Sequence, residues 1–265
     1  MKTPSTRRKQ KTMQRNRHAV LGTHIDALSW QDALHTIRTW AEAHESRYVC
    51  LCNVHSVVTT SQDPVFRQAI EGADMAAPDG APIAWTLRRS GYKNQDRISG
   101  PDLMWRYLGE ARRARQRVFL YGSTEATLVR LRAAIARHFP GLSIAGAWSP
   151  PFRSLSPAEE QAEIAMINQS GAHVVLVGLG CPKQEKWMAA HRGQIHAVMI
   201  GVGAAFDFHA GVVRRAPPWM QRYALEWLHR LCADPRRLLK RYLVTNTLFV
   251  MGMAKQLISR KKTPP

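Results

Sequence analysis

Residues 177–187, "VGLGCPKQEKW", leave an apolar run (174–178) through two glycines and enter a helical pattern that continues to about residue 192. A short apolar run without polar alternation reads as a strand buried on both faces, the usual condition in a parallel sheet. Parallel neighbours need a crossover, and a helix entered straight from the strand end is the usual one. Working outward, comparable runs lie at 48–54 ("YVCLCNV"), 118–121 ("VFLY"), 142–147 and 197–202 ("AVMIGV"). Helical patterns at roughly 30–44, 56–71, 101–116, 125–138 and 157–169 separate them, the last opened by Ser156-Pro157 as N-cap and first-turn proline. The alternation predicts an α/β fold, a Rossmann-like parallel-sheet sandwich that binds ligands at the C-terminal ends of its strands. Beyond Gly211 only helical patterns remain, opened by Pro217-Pro218 and Asp234-Pro235. The expected organisation is a disordered basic tail (1–17), an α/β core (18–210) and an all-helical basic C-terminal appendage (211–265).

Charge follows the same division. Of the net +19, residues 1–17 hold seven Lys/Arg and no acid, and residues 211–265 hold twelve against Glu226 and Asp234. Cationic ends on a nearly neutral body suit a polyanion or an anionic membrane surface. No recognised nucleic-acid motif accompanies the charge, so a nucleic-acid-binding module ranks below an anionic small ligand and no nucleic-acid partner is expected. The basic N-terminus leads into no sustained apolar segment, and the apolar run 242–254 is interrupted by Thr245, Asn246 and Thr247. The expectation is a cytoplasmic protein, peripheral to the membrane, with no signal peptide and no span. Cys50, Cys52, Cys181 and Cys232 form no C-x-x-C pair and read as buried free thiols, with no metal site.

Several stretches carry candidate chemistry. In 177–187, Gly178 and Gly180 admit a ligand close to the backbone, and Pro182 suits a first helical turn. The N–H groups of Lys183, Gln184 and Glu185 would then face an anion. Lys183 occupies the third glycine position of a dinucleotide fingerprint, and no Walker loop is present, which argues against nicotinamide or ATP chemistry. In "VFLYGSTEAT" (118–127) a strand ends at Gly122, with Ser123-Thr124 and Glu125 placed to cap a helix. Two such helix starts would suit a diphosphate, although the second reads first as a plain capped helix. In "DRISGPDLMW" (96–105), Arg97 suits a bidentate phosphate clamp, and Asp102 is either a ligand-pocket group or an ordinary first-turn acid. Asn53 ends the first run, and nearby His55 reads as a hydrogen-bonded structural residue ahead of a general base. Asp207 lies between Phe206 and Phe208, where a buried carboxylate needs a partner. Arg214, Arg215 and Arg222, interleaved with Trp219, Tyr223 and Trp227, suit an anionic membrane or a diphosphate. Asp79, in "AAPDGAPIAW" (76–85), is either turn punctuation or a carboxylate held for general-base work.

Taken together, "ADMAAPDGAPIAW", "RISGPDL", "VFLYGS", "GLGCPKQEKW" and "GVGAAFDFHAGVVRRAP…EWLHRL…DPRRLLKRY" resemble the WecG/TagA/CpsF family of bacterial glycosyltransferases, in the family's order from about residue 20 to 245. The resemblance implies the fold called GT-E and a metal-independent, inverting enzyme without cofactor. Such an enzyme moves a sugar, typically N-acetylmannosamine, from a UDP-sugar donor to a polyprenyl-diphosphate-linked sugar. It further implies Asp79 as catalytic base and a donor pocket containing Asn53, Arg97 and Gln184, to which the local readings add Asp102, Gly122, Ser123, Gly180, Lys183, Glu185 and Asp207. The appendage, with Arg214, Arg215 and Arg222, is implied to close the site and meet the inner membrane surface; a homo-oligomer is compatible with all of this. Leu51-Cys52-Asn53 stands where the family often has Thr-Pro-Asn, so a hydroxyl that orients the sugar is missing. Another UDP-hexose is the alternative donor.

Overall fold

The computed structural model describes residues 15–261. Residues 1–14 of the expected tail lie outside the described residues, but residues 15–17 belong to the fold. The Arg15 guanidinium donates to the Asp26 carboxylate at 2.9 Å and to the Ala73 carbonyl at 2.7 Å. Arg17 opens β1 (Arg17–Val20), which pairs antiparallel with β2 (Thr23–Asp26).

The main sheet has six parallel strands: β3 (Arg47–Cys52), β4 (Met75–Pro78), β5 (Arg117–Gly122), β6 (Ser143–Trp148), β7 (Val174–Gly178) and β8 (Val198–Gly201), in the order β4-β3-β8-β7-β5-β6. Five coincide with the apolar runs; β4, "MAAP", has no β-branched residue and no length to betray it. The helices of the core are α1 (Trp30–Glu42), α2 (Val54–Gln62), α3 (Pro64–Glu71), α4 (Ala81–Arg89), α5 (Gly100–Arg113), α6 (Glu125–His138), α7 (Pro157–Gln169), α8 (Lys183–His191) and α9 (Ala205–His209). The pattern at 56–71 is thus two helices. The Asp63 carboxylate accepts from the Phe66 N–H at 2.9 Å, and Pro64 starts the second helix, so the chain turns where the apolar period seemed continuous.

Side chains alternate across each strand, which divides the core into two layers. Val49 and Leu51 of β3 pack in the layer of α1, α5 and α6. Tyr48, Cys50 and Cys52 pack in that of α2, α3 and α8. Along the sheet, β5 leads outward to β6 and β7 leads the other way to β8, so connections diverge above the paired ends of β5 and β7. That divergence leaves a crevice at the C-terminal edge.

After the core come α10 (Pro218–Arg222), α11 (Glu226–Ala233) and α12 (Pro235–Lys261). The last lies against α2 and buries Leu238, Phe249 and Met253. Its Gln256 side chain closes on the β1–β2 turn, donating to the Ala19 carbonyl at 3.0 Å and accepting from the Leu21 N–H at 2.9 Å. Among the described residues, no helix is long and apolar enough to cross a membrane. Cys50 and Cys52 are buried and Cys181 half-buried, but Cys232 is exposed on α11, against the expectation of four buried thiols.

Candidate functional site

Asp79 follows β4 directly. Its N–H donates to the Cys52 carbonyl at 2.9 Å, and the Pro78 carbonyl accepts from Ile98 N–H at 2.9 Å, so the carboxylate stands on a strand end braced from both sides. Gly80, at φ 83°, turns the chain into α4. Asn53 does two jobs from the neighbouring strand end. Its Oδ1 caps α2 by accepting from Ser56 N–H at 3.2 Å, while its Nδ2 donates to Asp79 Oδ2 at 3.4 Å. Burial pushes the Asp79 carboxyl above the usual carboxylate range, the Arg97 charge and the Asn53 bond opposing it and the nearby Glu226 reinforcing it. His55 has its pKa lowered to about 4 by burial and by Arg241 of α12. It is uncharged at neutral pH, with Thr59 Oγ1 3.5 Å from its Nδ1, in keeping with a structural imidazole.

Arg97 and Arg215, both expected at a diphosphate, lie in one ring of charges. Arg97 Nη1 donates to Glu226 Oε2 at 3.2 Å and Nη2 lies 3.8 Å from Asp102 Oδ2. Arg215 grips Asp102 with both Nη atoms, at 2.6 and 2.9 Å, and reaches Glu226 Oε1 through Nε at 3.3 Å. Asp102 is therefore no open donor-pocket group but a tie between core and appendage. Burial pushes its carboxyl up, yet Arg215, Ser99 and Arg97 outweigh burial and hold it below the ordinary range. Glu226, at the start of α11, was not singled out from the sequence. Its signal is that it and Asp234 are the two acids in the basic segment after Gly211. Replacing Arg215 with Met should cost about 1–3 kcal/mol, discounted for partial exposure, because two carboxylates lose one of their two cationic partners. Thermal denaturation checks this, and adding Asp102→Asn should recover part of the loss; unchanged stability in the single variant would show that the ring carries no weight.

At the start of α8, Gln184 and Glu185 are 5% and 1% exposed. The Gln184 N–H is taken by the Gly180 carbonyl at 3.0 Å, and the Glu185 carboxylate accepts from its own N–H. This corrects the expected row of three free N–H donors, since two of the three are taken within the turn itself. Pro182 precedes the helix in the cap position instead of entering its first turn. The Gln184 amide lies over Gly201 and Gly203, where a Cβ on Gly201 would come within 3.0 Å of Nε2. Nε2 donates to Glu185 Oε1 at 2.9 Å, and Gln184 Oε1 and Glu185 Oε2 are buried without a hydrogen-bond partner. Such oxygens are costly unless a ligand completes them. Burial raises the Glu185 pKa as well.

Over β5 and β7 opens a cleft of about 600 Å³, lined by Ser123, Phe152, Arg153, Lys183 and Trp187 among others. Gly122 and Gly178 pair across its floor. Ser123, at φ 62°, donates its N–H to the Gly178 carbonyl at 3.2 Å, and the cap of α6 is Thr124 alone. Trp187 stacks on Tyr121 with ring centres 4.3 Å apart, and the Tyr121 hydroxyl donates to buried Glu163 beneath. Gly180 (φ 79°) and the exposed Lys183, which lines this cleft, flank the turn from β7 into α8. Asp207 is half-buried on α9 at the end of β8, and Arg214 and Arg222 are exposed. Among the described residues, no group of three or more His, Cys, Asp or Glu could hold a metal ion.

The family model described as "Glycosyl transferase WecG/TagA/CpsF family" matches residues 18–263. The chain is 31% identical over 205 residues, 77% of either chain, to the N-acetylglucosaminyldiphosphoundecaprenol N-acetyl-beta-D-mannosaminyltransferase of Bacillus spizizenii. It is 32% identical over 178 residues, 66% of this chain and 67% of the relative, to the protein of the same name from Bacillus subtilis. With core and helical appendage both inside the matched span, this chain belongs to the WecG/TagA/CpsF family of glycosyltransferases.

Proposed function

We propose that the protein transfers N-acetylmannosamine from UDP to a polyprenyl-diphosphate-linked N-acetylglucosamine, with inversion and without a metal. The observation that carries the reading is Asp79: a carboxylate of raised proton affinity, fixed at a strand end, bonded to Asn53 and within the field of Arg97. In the reaction the acceptor hydroxyl oxygen attacks C1 of the donor sugar and its proton passes to Asp79. The C1–oxygen bond to the diphosphate breaks as the new one forms, and its electron pair leaves with UDP. Negative charge growing on the leaving group needs fixed positive partners, and Arg97, Arg215 and Lys183 are the cations this site supplies. The cleft over β5 and β7, with its aromatic wall and flanking Arg153, has the size and chemistry for a nucleotide. Gln184 Oε1 is an acceptor awaiting a hydroxyl or amide N–H of the sugar.

The appendage supports contact with an anionic membrane face. Tyr223 and Leu243 are 70% and 61% exposed beside Arg222 and Lys240, so apolar and cationic groups are offered together. A panel of UDP-sugars assayed against polyprenyl-diphosphate-linked N-acetylglucosamine, with and without EDTA, tests the reading. UDP-N-acetylmannosamine should give the fastest product, of inverted anomeric configuration, at a rate EDTA leaves unchanged. A preference for another UDP-hexose, for which the missing Thr two residues before Asn53 is the motive, would replace the donor while keeping the mechanism. No product from any donor would remove the proposal.

A further inference from the structure

Glu226 is an acidic member of the charge ring to which the reaction above gives no direct part. It comes from the appendage, yet each of its carboxylate oxygens engages a different arginine: Oε2 takes Arg97 and Oε1 takes Arg215. Asp102 already satisfies Arg215 with two short bonds, whereas Arg97 has a direct bond to Glu226 and only a 3.8 Å approach to Asp102. The two bonds that Glu226 accepts, at 3.2 and 3.3 Å, are longer than the two from Arg215 to Asp102. A carboxylate bridging two guanidinium groups presents them with the same oxygen pattern as one phosphate of a diphosphate. With its side chain 16% exposed, Glu226 partly neutralises both cations with little solvent screening.

We propose that Glu226 is an internal counter-anion that holds Arg97 and Arg215 until the diphosphate of the donor displaces it, so that donor binding shifts the first turn of α11 relative to the core. The proposal rests on the diphosphate reading of Arg97 above. Asp102 then acts as the permanent tie and Glu226 as the exchangeable one. A merely structural ion pair makes the opposite prediction: removing it loosens the appendage and leaves UDP binding unchanged or weaker. An exchangeable anion competes with the ligand, and removing it tightens binding.

The test is UDP affinity, by calorimetry on the full chain, for the wild type, Glu226→Gln, Glu226→Ala and Arg97→Ala. Both Glu226 variants should bind UDP about fivefold more tightly, the scale of one partly exposed ion pair, and Arg97→Ala should bind more weakly. Circular dichroism establishes that each variant is folded, and the alanine variant removes any re-bonding by the Gln amide. Unchanged or weaker affinity in both Glu226 variants, with wild-type binding intact, overturns the counter-anion role alone. Absence of UDP binding in the wild type and every variant overturns the diphosphate reading along with it.

Discussion

Asp79→Asn is expected to lower sugar transfer by about 10²–10⁴-fold, the contribution of a positioned general base, while UDP binding is retained. Asn keeps the shape and the bond partners of the strand end, since the braces there are the backbone atoms of Cys52, Pro78 and Ile98. What it loses is the ability to accept a proton. In the wild type the rate should fall as pH drops through the Asp79 pKa, which burial holds above the usual carboxylate value, so the acid limb lies at higher pH than for a solvated aspartate. The stability consequence has a definite sign. A carboxyl whose folded pKa is raised favours the folded state in its protonated form, and that contribution is lost as pH rises through the folded value. At neutral pH the half-buried charge therefore weakens the fold, and Asp79→Asn should be the more stable protein. The difference should vanish below the ordinary aspartate pKa of about 3.9. Turnover equal to wild type would exclude Asp79 as the base. Lower stability of the variant at neutral pH would show that its ionised form is well solvated by Arg97 and Asn53.

The ends of β3, β5 and β7 were legible because each of these strands is a short apolar run without polar alternation. Asn53, Ser123 and Gly180 all fall within two residues of such an end. Asp79 was legible as a turn residue or a general base but not as a strand end, since β4 is too short and too rich in alanine to register as a strand. The pairings were not legible at all. Nothing in the local pattern around Asp102 says that Arg215, 113 positions later, takes it with a bidentate grip. Nor does the helix-start pattern at Lys183 reveal that Gly180 consumes the Gln184 N–H. Those facts depend on how the appendage folds back and on a single turn's dihedrals, which composition and period leave open. Glu226 illustrates the remainder: as one acid among many bases it was visible, but its place between two arginines is a property of tertiary structure.

Gly122→Ala should be the most damaging of the single-methyl substitutions at the site, costing about 3 kcal/mol or more. Two costs coincide there. Gly122 has φ 111°, a region that side-chain-bearing residues seldom occupy. A Cβ would also stand 2.7 Å from the Gly178 carbonyl carbon and 2.9 Å from its oxygen, which are backbone atoms and cannot swing away. Relief requires β5 and β7 to part where they pair at Gly122 and Gly178, directly under Ser123 and the cleft. Gly178 cannot yield toward the opposite layer either, because Phe206 already packs against it. Gly180→Ala separates the two costs. Its φ of 79° carries a similar backbone handicap, but a Cβ there meets nothing within 4 Å. That variant should lose about 1 kcal/mol and stay folded. Urea unfolding of the pair gives the difference, which is the steric term alone. UDP affinity then reports whether the floor of the cleft has moved, and should fall in Gly122→Ala far more than in Gly180→Ala. Equal and mild losses in both variants would mean that β5 and β7 separate easily, and that the glycine pair is not what sets the width of the crevice.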